Sequence, residues 1–119
     1  MATSAAVAAL LPLPAATFHI LLAVAHDERH GYAIIQDVAE RTDGALRLSA
    51  ATLYRSIQRM LEQGLLKETH ERPAANLDDE RRRYYRITPL GRAAARAEAH
   101  RLQELVRLAR AQGILPAKA

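Results

Sequence analysis

Thr52, Arg55 and Arg59 are the side chains whose types and spacing first suggest a chemical role. They stand at positions i, i+3 and i+7, so in a helix they share one face. The methyl group of a threonine can contact the thymine methyl group, and an arginine can donate two hydrogen bonds to guanine O6 and N7. Ser49 precedes them and leaves the approach uncrowded. These four residues are candidates for reading DNA bases, although an ordinary solvated helix face would have the same pattern.

A basic hairpin follows this segment. Residues 65–72 and 82–88 read as two strands, and the polar stretch 73–80 between them is too long for a tight turn. Arg82, Arg83 and Arg86 bring guanidinium groups to the base of this hairpin, which we call the wing. Each could neutralise a DNA phosphate and release counterions. The acidic residues within 73–80 are alternative partners for these arginines, so the base of the wing, not its tip, should touch DNA.

The pattern around these residues predicts the helices that would hold them. Apolar residues recur at helical spacing in four segments: 14–26, 32–41, 49–63 and 89–112. Ser49 is a natural N-cap for the third helix, and Gly64 is a natural C-terminal stop. Thr88 and Pro89 have the residue types that open the fourth helix. A helix followed by a basic hairpin is typical of a winged helix-turn-helix, in which the helix enters a DNA groove.

The predicted fold is therefore mainly α with a small β-hairpin wing, a winged helix-turn-helix plus a C-terminal dimerisation helix. The DNA-binding domain spans 14–88, the dimerisation helix 89–112 and the tail 113–119. Residues 1–13 carry no period and predict a flexible N-terminal arm. The alternating residues 46–48 predict one further short strand.

The composition suits an anionic partner. The chain has 119 residues, enough for one compact domain, and 17 Lys and Arg against 13 Asp and Glu give a net charge of +4. It has no cysteine, which excludes disulfides and zinc–cysteine sites and fits a cytoplasmic location. The apolar stretch 5–25 follows no Lys or Arg and is interrupted by Pro12 and Pro14. We therefore predict a buried helix there rather than a signal peptide or a membrane span.

Motifs for catalysis or metal binding are weak. His26 and His30 have the spacing of a helical zinc pair, but the predicted helix ends between them, Gly31 follows, and no third ligand stands out. The sequence offers no Ser-His-Asp arrangement and no phosphate-binding glycine loop. We therefore predict no enzymatic activity, no metal and no cofactor.

Several of these motifs together resemble one known family. The matching stretches are HGYAII at 30–35, SAATLY at 49–54, GL at 64–65 and RYYRITPLGR at 83–92. They resemble the PadR-like transcriptional regulators over residues 14–112. The resemblance implies a winged-helix homodimer, usually a repressor, that binds a palindromic operator and can release it on binding a small effector. It also implies that Thr52 and Tyr54 lie on the recognition helix, and that Tyr32 lies on the supporting helix near the DNA backbone.

Two positions depart from the family pattern. The family often has Pro-Gly where this chain has Ala50-Ala51, and Pro where it has Arg55. Both changes alter the surface that would read bases, so the operator sequence cannot be carried over. Tyr54 is a candidate phosphate contact, with half-buried packing as the alternative.

The last predicted helix carries an apolar stripe with charged flanks. Its members are Leu90, Ala94, Ala97, Leu102, Leu105, Leu108 and Ala109. We predict that a second copy of the chain covers this stripe, the alternative being that the helix folds back on its own domain. A small apolar or aromatic effector could bind between the two helices, but no residue is assigned to it. The alternative function is a winged-helix module whose basic face binds an acidic protein, without specific DNA binding.

Overall fold

The computed structural model describes residues 4–69 and 83–117. In these ranges its elements are α1 (Ala5–Ala8), α2 (Ala15–Ala23), β1 (Arg29–His30), α3 (Gly31–Arg41), α4 (Ala50–Glu62), β2 (Leu66–Thr69), β3 (Tyr84–Ile87) and α5 (Pro89–Ala111). The strands form one antiparallel sheet in the order β1–β3–β2, with Glu68 opposite Tyr85. The predicted winged helix-turn-helix is confirmed: α3 and α4 form the helical pair, and β2 and β3 form the wing.

Side-chain caps fix where three helices begin. The hydroxyls of Ser49 and Thr88 each accept a hydrogen bond from the backbone N–H three residues on, at 3.1 and 2.9 Å. His30 caps α3 in the same way, with Nδ1 accepting from the Ala33 N–H at 3.2 Å. A cap of this kind stabilises a helix by roughly 1 kcal/mol. The predicted starts at Ser49 and Thr88 are confirmed, and the His30 cap is an additional one.

The core lies between the helices and one face of the sheet. Its large side chains with less than 2% exposure are Ile20, Leu21, Val24, Ile34, Val38, Leu53, Ile57, Met60 and Leu65. On α4 the apolar residues Leu53, Ile57 and Met60 all point inward, since they recur at spacings of four and three. Their burial turns the opposite face of α4 toward solvent, and that is the face with Arg55 and Arg59.

Residues 4–13 do not form the loose arm that the sequence predicts. Val7 and Leu13 are buried, and the Leu13 N–H donates to the Glu98 carboxylate at 3.1 Å. Arg101 also binds this carboxylate, at 2.9 and 2.7 Å, and these hydrogen bonds hold the pKa of Glu98 below its usual value. The N-terminal segment is therefore fixed to α5 by apolar contacts and by one buried charge with two partners.

The third strand is not where the sequence predicts it. Residues 46–48 form no strand, and Leu48 instead packs into the core. Arg29 and His30 supply the strand, pairing with Tyr85 and Tyr84. A strand of two residues carries no alternation, so only the tertiary pairing with β3 defines it.

The apolar stretch near the start contributes to the core. Within it, α2 buries Ile20 and Leu21, as expected for a buried helix. None of the helices in the parts of the chain that the structure describes is both long enough and apolar enough to cross a membrane.

Candidate nucleic-acid interface

The outer face of α4 carries the four predicted base-reading residues. The Ser49 hydroxyl accepts from the Thr52 N–H and donates to Thr52 Oγ1, both at 3.1 Å. The two hydroxyls are thus tied together, and Thr52 Oγ1 keeps its own proton for an outside acceptor. Arg55 and Arg59 are exposed, and neither has an ion pair or hydrogen bond to any residue the structure describes. This face presents two guanidinium groups beside short polar side chains, which suits the edges of bases.

Tyr54 and Tyr32 lie where α4 meets the start of α3. The Tyr54 ring packs over Gly31, so closely that a Cβ on Gly31 would overlap the Tyr54 hydroxyl. Tyr54 is 46% exposed and Tyr32 63% exposed, so both phenol groups remain accessible. Tyr54 therefore combines packing with exposure, and either phenol could donate to a phosphate on this side of α4.

The wing arginines have carboxylate partners that the sequence did not predict. Arg83 lies 3.3 Å from Glu68, and Arg86 lies 3.8 Å from Glu28. The Thr69 hydroxyl donates to Glu28 at 3.1 Å. The acidic residues that the sequence offers as partners lie within 73–80, outside the described residues. Arg82 also lies outside the described residues. These arginines are more than half exposed, so the pairs are weak and a phosphate could replace the carboxylate.

A buried tyrosine in β3 packs the wing against the core. Tyr85, in the middle of β3, is 4% exposed, and burial together with the nearby Glu68 carboxylate raises its pKa to about 12. The Tyr85 phenol therefore remains protonated and uncharged at neutral pH. His30 meets Tyr84 edge to face, with ring centroids 5.6 Å apart. This ring contact joins β3 of the wing to the start of α3.

The sequence matches a known family over most of this architecture. Residues 20–97 match the family described as the transcriptional regulator PadR-like family. The chain belongs to the PadR-like family. Members are DNA-binding transcriptional regulators rather than enzymes, so the resemblance and the prediction of a non-enzymatic regulator are confirmed.

Relatives and solved structures agree with this assignment. A transcriptional regulator of Mycobacterium tuberculosis is 36% identical over 93 residues, covering 78% of this chain and 80% of its own. An uncharacterized protein of Lysinibacillus sphaericus is 37% identical over 75 residues, which is 62% of this chain and 65% of that protein, just under two thirds. A PadR family regulator from Clostridium difficile has a TM-score of 0.70 at 21% identity, covering 81% and 95% of the two chains. A transcriptional regulator from Clostridium thermocellum has a TM-score of 0.67 at 21% identity, covering 91% and 94%. At 21% identity these two structures support the assignment of the fold alone.

In this PadR-like chain the predicted interface stripe on α5 divides into two parts. Ala94 has no exposed surface, and Leu90 and Ala97 pack against the same core. The prediction that Ala94 contacts a second copy is wrong, because α1 and α2 already cover that half of the helix. Beyond Glu98 the helix is largely uncovered by its own domain. The exposed apolar residues there are Leu102, Leu105, Val106 and Leu108, with Ile114 and Leu115 following the helix; Ala109 is half-buried.

The histidine pair considered for zinc is differently engaged. His30 Nδ1 accepts a backbone hydrogen bond as the cap of α3, which removes one of its two metal-binding nitrogens. Among residues 4–69 and 83–117 no group of three or more His, Asp and Glu side chains is arranged to hold a metal ion.

Proposed function

We propose that the chain is a homodimeric repressor that acts in the cytoplasm and binds a palindromic operator in double-stranded DNA. The observation that carries the proposal is the outer face of α4, where Arg55 and Arg59 are exposed and have no partner among the described residues. Charged side chains on a protein surface commonly find local partners, and Arg83 and Arg86 on the wing do so. A recognition helix whose cations remain available can give them to bases and phosphates without first breaking an ion pair.

Each predicted contact has a distinct role in this proposal. Arg55, near the start of α4, donates to a guanine, and Ser49 and Thr52 limit which bases fit beside it. Tyr32 and Tyr54 donate to phosphates on the α3 side. Arg83 and Arg86, together with Arg82, bind phosphates at the wing base, where DNA competes with Glu68 and Glu28. That competition should make the contribution of the wing to DNA affinity smaller than the contribution expected from three arginines without carboxylate partners.

The exposed end of α5 supports a dimer. Leu102, Leu105 and Leu108 are 37, 49 and 44% exposed within one chain, at helical spacing. Covering such a row with a second copy removes it from water, and a two-fold axis presents two α4 helices to half-sites about one DNA turn apart. An apolar gap between the paired helices would be where a small apolar or aromatic effector binds and releases the operator.

Fluorescence anisotropy on DNA tests this function. The purified protein is titrated into its own upstream DNA and into a scrambled duplex of equal length, across a series of salt concentrations. A preference of about a thousandfold or more, within the range of specific binders, is the expected result. Size-exclusion chromatography with light scattering on the same sample measures the dimer.

The alternative is a winged-helix module that binds an acidic protein through its basic face. It predicts equal, steeply salt-dependent binding to both duplexes. Equal binding to every genomic fragment tested would refute the repressor proposal and favour the protein partner.

A further inference from the structure

A shallow pocket lies beside the recognition helix, where α4 meets the start of α2. It has a volume of about 240 Å³ and is lined by Pro14, Thr17, Arg55, Ser56 and Arg59. No sequence pattern predicts this pocket, because Pro14 and Thr17 are about forty residues away from the other three. The space is large enough for one tetrahedral oxyanion with bound water.

The start of α2 brings backbone donors to this pocket. Pro14 is the N-cap residue and has no side-chain hydroxyl or carboxylate, so no side chain caps the first N–H groups of this nine-residue helix. Such free N–H groups, together with the helix dipole, attract an anion. Within the part of the chain that the structure describes, the first N–H groups of α2 thus lack a capping side chain and are available to an outside acceptor.

The Thr17 hydroxyl points to the same ligand independently of the helix end. Thr17 is 4% exposed and lines the pocket, and its hydroxyl makes no hydrogen bond to any residue the structure describes. Among the described residues no fully buried side-chain nitrogen or oxygen lacks a hydrogen-bond partner, so this hydroxyl keeps some contact with solvent. An oxyanion in the pocket would accept from this hydroxyl.

The charge around the pocket is positive. Arg55 and Arg59 lie on its α4 side, and both lack ion pairs to the described residues. The carboxylate that contacts the segment before α2 is Glu98, and it is already held by two hydrogen bonds from Arg101. An anion here would therefore meet two guanidinium groups that have no ion pair with the described residues, and one carboxylate whose charge is compensated by Arg101.

The position relative to α4 identifies the source of the anion. Tyr54 lies on the α3 flank of α4, whereas Ser56 is turned by about 200° from it at 100° per residue and faces α2. A helix in a major groove about 12 Å wide has one DNA strand along each flank. The pocket thus faces the strand opposite to the one near Tyr32 and Tyr54.

We propose that this pocket binds one phosphate of the DNA backbone, held by the start of α2, the Thr17 hydroxyl and Arg59. The inference rests on the proposed DNA binding and changes one assignment within it. Arg59 lies one turn beyond Arg55, farther from the end of the recognition helix that meets base edges, so it is a phosphate ligand rather than a base reader. Arg55 reaches past the pocket rim to the bases.

The test compares Arg59→Gln, Thr17→Val and a control, Arg96→Gln, which removes the same charge from an exposed site on α5. Anisotropy is measured on the upstream DNA and on a scrambled duplex across the salt series. Arg59→Gln should weaken binding to both duplexes alike and reduce the slope of log K against log salt by about 0.9, the value for one phosphate. Thr17→Val should weaken both by about threefold to tenfold without changing the slope, since it removes a neutral hydrogen bond. The control should retain the wild-type slope.

The outcomes separate this inference from the function on which it rests. If the wild type binds neither duplex, the DNA-binding function itself fails. If the wild type binds but Arg59→Gln keeps the full slope, or loses only its preference for the upstream DNA, the phosphate assignment is overturned. Titration with inorganic phosphate at constant ionic strength distinguishes a free anion. Saturable phosphate binding that is lost in Arg59→Gln and displaces no DNA would overturn the assignment to the DNA backbone.

Discussion

Replacing Gly91 by alanine should be one of the most damaging single-atom additions to this fold. Gly91 lies in the first turn of α5, where a Cβ would overlap the backbone carbonyl oxygen of Leu65 and lie 3.1 Å from Ile87 Cγ1. The carbonyl cannot turn aside, because it accepts from the Thr88 N–H at 3.2 Å. The junction between α4, the wing and α5 would have to open.

The change in the free energy of unfolding follows from two unfavourable contributions and one favourable contribution. Overpacking a filled site costs about 1–3 kcal/mol. Displacing the Gly91 N–H from the Thr88 hydroxyl weakens the helix cap by about 1 kcal/mol. Alanine has a better helix propensity than glycine by about 1 kcal/mol, which offsets part of this loss. The free energy of unfolding should fall by about 2 kcal/mol.

Gly31→Ala is the matched control. Gly31 is also in the first turn of a helix, and its Cβ would overlap the end of the Tyr54 side chain. That ring is 46% exposed and can swing into solvent, so stability should stay within about 1 kcal/mol of wild type. Affinity for DNA should nevertheless fall, because Tyr54 leaves its place beside α3.

Urea unfolding followed by circular dichroism, at one fixed protein concentration, measures both variants. A Gly91→Ala protein as stable as wild type would refute the argument from backbone overlap. Equal losses in the two variants would show that the distinction between a fixed carbonyl and a movable ring is wrong.

Three further predictions concern the interface and the buried charge. Arg55→Ala should lower discrimination at one base pair per half-site by about 1–3 kcal/mol, measured by anisotropy on operators with single-base changes; unchanged discrimination would contradict base reading. Leu105→Glu should raise the dissociation constant of the dimer by more than about a hundredfold in sedimentation equilibrium, because it buries an unpaired charge in the interface. The control Gln103→Glu should leave this constant unchanged. A dimer that survives Leu105→Glu would contradict the α5 interface. Glu98→Gln should lower the free energy of unfolding by about 1–2 kcal/mol at pH 7. Because the pKa of Glu98 is lowered in the folded protein, the contribution of Glu98 to the free energy of unfolding is present at neutral pH and is lost as the pH falls through that pKa. The Glu98→Gln variant should therefore lose less stability than wild type between pH 7 and pH 3. Parallel losses in the two proteins would contradict this.

The sequence was most informative where a local pattern determines the structure. Ser49 and Thr88 marked helix starts because a cap acts over three residues, and the apolar spacing in α4 determined which face turns outward. That face carries Thr52, Arg55 and Arg59, and their role as base readers stays a prediction. The family motifs agreed with it at the same positions.

The sequence was least informative where distant segments meet. Val7 and Leu13 are buried by α5, and the strand at Arg29–His30 exists only because β3 lies beside it. The ion pair between Arg86 and Glu28 likewise depends on the register of the sheet. The sequence predicts a cluster of arginines on the wing, but it does not predict that Arg83 pairs with Glu68 on β2. Periodicity and caps hold no information about such pairings.

The hydrogen bond between the Leu13 N–H and Glu98 also sets where α5 leaves its own domain. The N-terminal segment holds the helix up to Glu98, and the helix continues for about 20 Å beyond it at 1.5 Å per residue. In the proposed dimer, a tilt of α5 by about 10° at Glu98 moves the C-terminal end of the helix by about 3.4 Å, which equals the rise of one base pair. The angle at which α5 leaves Glu98 would thus determine which separation of half-sites the dimer can span, far from any residue that touches DNA.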